Sequence, residues 1–173
     1  MLDGLLFSWE REICASGGVK TMIPDIDWHQ VAFHAVHLLV AYVIALPVAW
    51  DREREAMSAG LRTFPLVSVA ACGYMTVGIQ VLDSTDAESR VIYGIITGIG
   101  FIGGGAILKD KGGVTGTSTA ASIWGTGAIG VAVAFDRLEI ALVLSVLTFL
   151  TLRYVTRLKG LAHGTKRKEE ADE

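Results

Sequence analysis

Four stretches of this chain contain no Asp, Glu, Lys or Arg: Trp28–Trp50 (23 residues), Thr63–Leu82 (20), Val91–Leu108 (18) and Gly112–Phe135 (24). A helix rises about 1.5 Å per residue and a bilayer's hydrocarbon core is about 30 Å thick, so about 20 such residues cross it. A fifth candidate is interrupted, because only 13 uncharged residues separate Glu139 from Arg153. It crosses if Glu139 sits at one interface and Arg153 reaches the other headgroup layer. Composition points the same way: 51% of residues are apolar and 19% charged, against about 25% charged in a soluble domain. The expectation is an all-α integral membrane bundle of five helices. They span about 30–50, 64–82, 91–108, 117–135 and 138–155, between an N-terminal segment (1–29) and a charged tail (157–173).

Lys and Arg set the orientation. With five spans, the first and third loops share a side with the tail and together carry eleven of the fifteen basic residues. The N-terminus is therefore expected outside and the C-terminus in the cytoplasm. Asp3, Glu10, Arg11 and Glu12 do not suit a signal peptide, and Met22 is an alternative start. Cys14 and Cys72 lie at different depths, so no bridge is expected, and Cys72 reads as a small core residue. In the first loop, Asp51–Arg54 and Arg52–Glu55 are spaced to pair along a helical turn. Thr63 is placed to cap the second span, and Pro47 to kink the first.

Gly98-Ile99-Gly100-Phe101-Ile102-Gly103 spells G-x-G-x-x-G, the spacing of a dinucleotide-binding turn. That turn needs a preceding strand and an acidic residue about 20 positions on. Here it lies inside an uncharged span, and the chain reads Ile123-Trp124 at that distance. Helix packing explains the glycines better, since helices in lipid associate through small residues that let backbones approach. At about 100° per residue, Gly94, Gly98 and Gly105 share one face and Gly100, Gly103 and Gly104 another. Ser118, Ala121, Ser122, Gly125, Ala128 and Ala132 make a small-residue stripe on the fourth span. The third and fourth spans are expected to pack backbone to backbone. The alternative is a third span that breaks locally and exposes carbonyls to a ligand.

Three blocks resemble the MgtC/SapB family of bacterial membrane proteins: AGLRTFPLV (Ala59–Val67), GIGFIGGGAIL (Gly98–Leu108) and GTSTAASIWGTGAIGVAVA (Gly116–Ala134). The resemblance implies a bacterial inner-membrane protein linked to magnesium homeostasis and, in some members, to survival in host cells. It is similar to a short form of the family without the C-terminal soluble domain. Asp51 stands where the family usually has Glu, one methylene longer.

Magnesium requires hard oxygen ligands. The candidates are Asp51 and Glu55, since no carboxylate falls near a midplane. His34 and His37, spaced i, i+3, form either a proton-sensitive pair or hydrogen bonds to neighbouring helices. The loop KDKGGVTGTST lacks a Walker Gly-Lys-Ser/Thr, and Thr117 or Ser118 is placed to cap the fourth span. Asp51, Arg52, Arg62, Thr63, Lys109, Asp110 and Thr119 are expected to form one cytoplasmic polar cluster, with Asp51 facing Arg62. The expected partners are the lipid bilayer and other membrane proteins or a second copy, with no nucleic acid, no enzymatic activity and no cofactor beyond Mg²⁺ itself. The function is accessory or regulatory in magnesium homeostasis, or alternatively that of a small oligomeric cation carrier.

Overall fold

A computed structural model of the protein describes residues 26–55, 60–110 and 113–155, without the side chains of Glu55 and Asp110. The alternative start, Cys14, Lys111 and the charged tail lie outside the described residues. The chain divides into two units, Met1–Phe33 and His34–Glu173. In the first, Asp27 begins a helix: its carboxylate accepts from the backbone N–H of His29 at 2.9 Å. This is N-capping, which satisfies an amide that has no partner one turn back. The helix, α1 (Trp28–Glu55), runs on into the second unit and through Pro47. At 28 residues it is about 42 Å long, more than a hydrocarbon core needs, and its surplus is the charged DRERE end.

The second unit continues with α2 (Thr63–Val81), α3 (Thr85–Gly105), a hairpin of β1 (Leu108–Asp110) and β2 (Gly113–Thr115), α4 (Thr117–Ala134) and α5 (Leu138–Leu150). A π-helical turn, Thr151–Val155, extends α5. Short connections make successive helices antiparallel. The described residues are thus all-helical apart from connections and the hairpin, which pairs Leu108 with Thr115 and Asp110 with Gly113. The sequence reading did not anticipate this hairpin; three-residue strands are too short to show an alternation.

Among the described residues, three stretches are long and apolar enough to cross a membrane: Trp28–Arg54, Thr63–Val81 and Leu138–Val155. The stretch judged weakest from its charges is among them, and α3 and α4 are not. The difference is physical. α3 starts earlier than its uncharged run and takes in Asp86, Glu88 and Arg90, then ends at Gly105 before Ile107 and Leu108. Helix α4 is built of Gly, Ser, Thr and Ala as much as of apolar residues. Its neighbours shelter it, with Thr119, Ser122, Ile123, Thr126, Ile129 and Val133 all buried.

Helix α4 packs against α2, α3 and α5. Its nearest backbone approach is to α2: a Cβ on Gly130 would run into the carbonyl oxygen of Ser68. Gly127 makes room for the Ile99 side chain, and a Cβ on Gly103 would stand 3.2 Å from the Ala120 carbonyl oxygen. Gly125 is in ordinary contact with Thr148 of α5 at 3.6 Å. Helix α1 is held by two buried hydroxyls: Ser68 Oγ donates to the Ala41 carbonyl at 3.0 Å and Ser145 Oγ to the Ile44 carbonyl at 2.6 Å. In hydrocarbon such bonds hold helices together. Apolar side chains that meet no protein cover much of the outside; Phe101 is 86% exposed and Tyr93 73%. An apolar exterior of that extent belongs to a protein immersed in lipid.

Two expected helix caps are replaced. Arg62, with helical backbone, precedes α2, so Thr63 is the first helical residue rather than its cap. Gly116 precedes α4 at φ 82°. A side chain there would be strained, and its Cβ would collide with the Ala106 carbonyl oxygen. A tight backbone turn, rather than a hydroxyl from Thr117 or Ser118, starts α4. Ser84 does cap α3, accepting from Ala87 N at 3.2 Å.

Candidate functional site

Because the helices alternate, the end of α1, the start of α2, the hairpin and the π-helical turn lie at one end of the second unit. An ion cluster forms there. Asp51 and Arg52 are both 97% buried, at 3% exposure each, and Arg52 Nη2 donates to Asp51 Oδ2 at 2.9 Å. Neighbouring residues on a helix point in different directions, so Arg52 curls back to reach the carboxylate. Arg153 closes the cluster from the π-helical turn, with Nη1 4.0 Å from Asp51 Oδ1. A π turn holds more residues than an α turn and so redirects the side chains that follow. Leu152 is buried there while Arg153 is partly exposed.

A different acid ties the end of α1 to the turn before α2. Glu53 Oε2 accepts from the backbone N–H of Leu61 at 2.9 Å. Gly60 lies against the Glu53 backbone so closely that a Cβ would stand 2.8 Å from Glu53 Cα. Arg54 lies over the Trp50 ring, 5.2 Å from its centroid, a cation–π contact.

These contacts revise the expected polar cluster. Asp51 and Arg52 are brought together. Arg62 is exposed on the turn before α2, and the partners of Asp51 among the described residues are Arg52 and Arg153 instead. The Asp51–Arg54 pairing is replaced in the same way, since Arg54 has turned to Trp50. Thr63 is half-buried in the first turn of α2, and Lys109 is exposed on β1. Thr119 is buried and its carbonyl accepts from Ser122 Oγ at 3.2 Å. The side chains of Asp110 and Glu55 lie outside the description, and with them the Arg52–Glu55 pairing. Arg153 and Glu53 were missed. Arg153 read as a headgroup anchor and Glu53 had no assigned role, and only a π turn and the close approach of Gly60 give them these roles.

As a magnesium ligand, Asp51 is poorly placed. Its carboxylate faces two guanidinium groups rather than other oxygens, whereas magnesium collects oxygen donors and waters. Among the described residues, no three His, Cys, Asp or Glu side chains converge.

At the opposite end, His34 Nε2 lies 3.1 Å from Gln80 Nε2 of α2, and His37 Nε2 lies 2.8 Å from Asp136 Oδ1. Each histidine bonds to a different element, which favours bonding between helices over a His–His pair. Asp136 forms the α4–α5 turn at φ 57°, a left-handed conformation that Asp tolerates better than most residues.

The packing glycines divide. Gly103 and Gly125 meet neighbours as described, but Gly94, Gly98, Gly100, Gly104 and Gly105 have nothing among the described residues within 4 Å of a Cβ. They therefore do not bring α3 against α4. The glycines that do the close packing, Gly127 and Gly130, lay outside the expected stripe. Gly94 and Gly98 instead line an apolar groove of about 890 Å³ between α2 and α3.

This arrangement defines a helical membrane protein with a buried ion cluster at one end and an open glycine-rich helix. The sequence profile described as the MgtC family matches residues 38–161, and the chain belongs to that family. It is 31% identical to Protein SrpB of Synechococcus elongatus over 153 residues, covering 81% of this chain and 82% of the relative. It is 32% identical over 124 residues to YhiD of Escherichia coli K12, whose full name proposes it as a magnesium transporter. It is 34% identical over 104 residues to Protein MgtC of Brucella abortus. The alignments take in 68% and 60% of this chain but only 58% of YhiD and 43% of MgtC. No solved structure matches.

Proposed function

We propose that this is a five-span bacterial inner-membrane protein that acts in adaptation to magnesium limitation, as an accessory or regulatory subunit rather than as an enzyme. It works through helix contacts with a second copy or with another membrane protein. One observation carries this reading. Five glycines of α3 have no neighbour among the described residues within reach of a Cβ, although glycine weakens a helix by about 1 kcal/mol relative to alanine. Small residues on a lipid-facing helix are suited to a partner helix that packs closely. The magnesium link rests on the name of YhiD of Escherichia coli K12 and on membership of the MgtC family.

The test is copurification from native membranes in mild detergent, at low and normal magnesium, of the natural chain and of Gly94→Ile/Gly98→Ile. The natural chain should retain a partner or a second copy and the variant should lose it while remaining folded. Equal retention by both refutes the reading. A reporter fused after Arg90 should be extracytoplasmic, and a cytoplasmic reporter would overturn the five-span topology. The transporter reading draws support from the name of YhiD. Magnesium-dependent uptake into proteoliposomes of the purified chain would replace our proposal with it.

A further inference from the structure

A second groove, of about 540 Å³, lies between α3, α4 and α5. Its floor is the small-residue face of α4 around Ala128. One wall is Ile92 to Ile99 of α3 and the other Ile140 of α5. It differs from the groove beside Gly94 in having a charged mouth. Arg137 lines the end at the α4–α5 turn, and Trp124 lines the other. From Phe135 to Trp124 is about 16 Å along the helix. Half of a hydrocarbon core of about 30 Å is nearly the same. The groove therefore has the length of one leaflet, with its polar mouth where a headgroup sits.

The charges at the mouth narrow the occupant. Arg137 Nη1 is 3.6 Å from Glu139 Oε1 and both side chains are about two-thirds exposed. That separation is too long for a hydrogen bond, so the guanidinium keeps donors to offer. The start of α5, at Leu138, adds the positive end of a helix dipole. Beside this cationic point stands one carboxylate, Glu139; that of Asp136 is turned to His37 of α1 at 2.8 Å. An anionic phosphate alone would meet Arg137 and be repelled by Glu139. A quaternary ammonium could balance Glu139 but has no N–H to donate. A phosphate joined to a primary ammonium satisfies both signs with hydrogen bonds.

We propose that this groove binds a phosphatidylethanolamine molecule, with its phosphate on Arg137, its ammonium on Glu139, and one acyl chain lying over Ala128 towards Trp124. The inference rests on the reading of α3–α5 as bilayer-embedded, not on the regulatory role. The full chain is reconstituted into nanodiscs with equal amounts of phosphatidylethanolamine, phosphatidylglycerol and phosphatidylcholine carrying identical tails. It is then extracted gently, and the retained lipid is weighed by native mass spectrometry. Phosphatidylethanolamine should exceed phosphatidylglycerol about tenfold, the equivalent of about 1.4 kcal/mol. Arg137→Gln should lower the retention of phosphatidylethanolamine, Glu139→Gln should bring phosphatidylethanolamine and phosphatidylglycerol to parity, and Ala128→Phe should remove the bound lipid. Ile96 lines the same wall and is 45% exposed, so Ile96→Trp can block the groove from outside should Ala128→Phe fail to fold. Retention in the mixing ratio, or unchanged retention by a folded blocked variant, overturns the proposal. A chain that stays dispersed without any amphiphile would refute the membrane reading instead, so the two failures are distinct.

Discussion

Replacing Asp51 with Asn isolates the energetic role of the buried ion cluster. The change removes one negative charge and almost no volume. Arg52, 3% exposed, keeps its other contacts but loses the carboxylate bonded at 2.9 Å. Removing one partner of a buried pair costs about 3–5 kcal/mol, because the remaining charge is desolvated without compensation. The Asn oxygen can still accept one hydrogen bond, so the lower end applies, about 3 kcal/mol, or about a hundredfold in the unfolding equilibrium. The matched control is Arg153→Gln. That side chain is 36% exposed and 4.0 Å from Asp51, and a long, partly solvated ion pair contributes about 0–1 kcal/mol. Both variants can be compared with the natural chain by titrating SDS into mixed micelles and following tryptophan fluorescence. Asp51→Asn should lose at least about 2 kcal/mol more than Arg153→Gln. If the two lose equal amounts, or Asp51→Asn loses under about 1 kcal/mol, burial does not govern this cluster.

Gly130→Ala places a methyl group against the Ser68 carbonyl and should cost about 1–3 kcal/mol in the same titration. Gly104→Ala enters open space and should stabilise the helix by up to about 1 kcal/mol; the opposite order would refute the packing assigned to α2 and α4. Ser145→Ala should cost about 0.6 kcal/mol, the usual yield of a hydrogen bond between membrane helices, and an unchanged midpoint would mean that the contact with Ile44 contributes nothing. A double-mutant cycle of His37→Ala and Asp136→Asn should give a coupling of about 0.5–1 kcal/mol, since Asp136 is 76% exposed; strict additivity would show the pair to be incidental.

The helical class and the family were legible because they depend on features that recur along the chain. An uncharged run states its own length, and the blocks around Gly98 and Gly116 keep their order. The site was legible only in part. Asp51 could be singled out by its place at the end of a span, but its partners could not be named. Arg153 lies over 100 positions away, and its approach depends on a π-helical turn that has no composition signal. The turn before α4 shows the same limit at short range. Thr117 and Ser118 are good capping residues, yet Gly116 at φ 82° already directs the chain into the helix.

The glycines carry the more general lesson. Periodicity places a small residue on a face, but it does not say which neighbour that face meets. Gly130 and Gly104 look alike in the sequence, both inside glycine-rich apolar runs. One stands against the Ser68 carbonyl and the other faces open space. The close-packed set surrounds α4 and is accounted for by the fold alone. The open set on α3 is not: alanine at Gly94, Gly98 or Gly104 would meet nothing among the described residues and would hold the helix better. Glycine there forgoes stability with no return from those residues. A partner helix is the return we propose, which is why the partner experiment is aimed at α3 and leaves the buried helix α4 untouched.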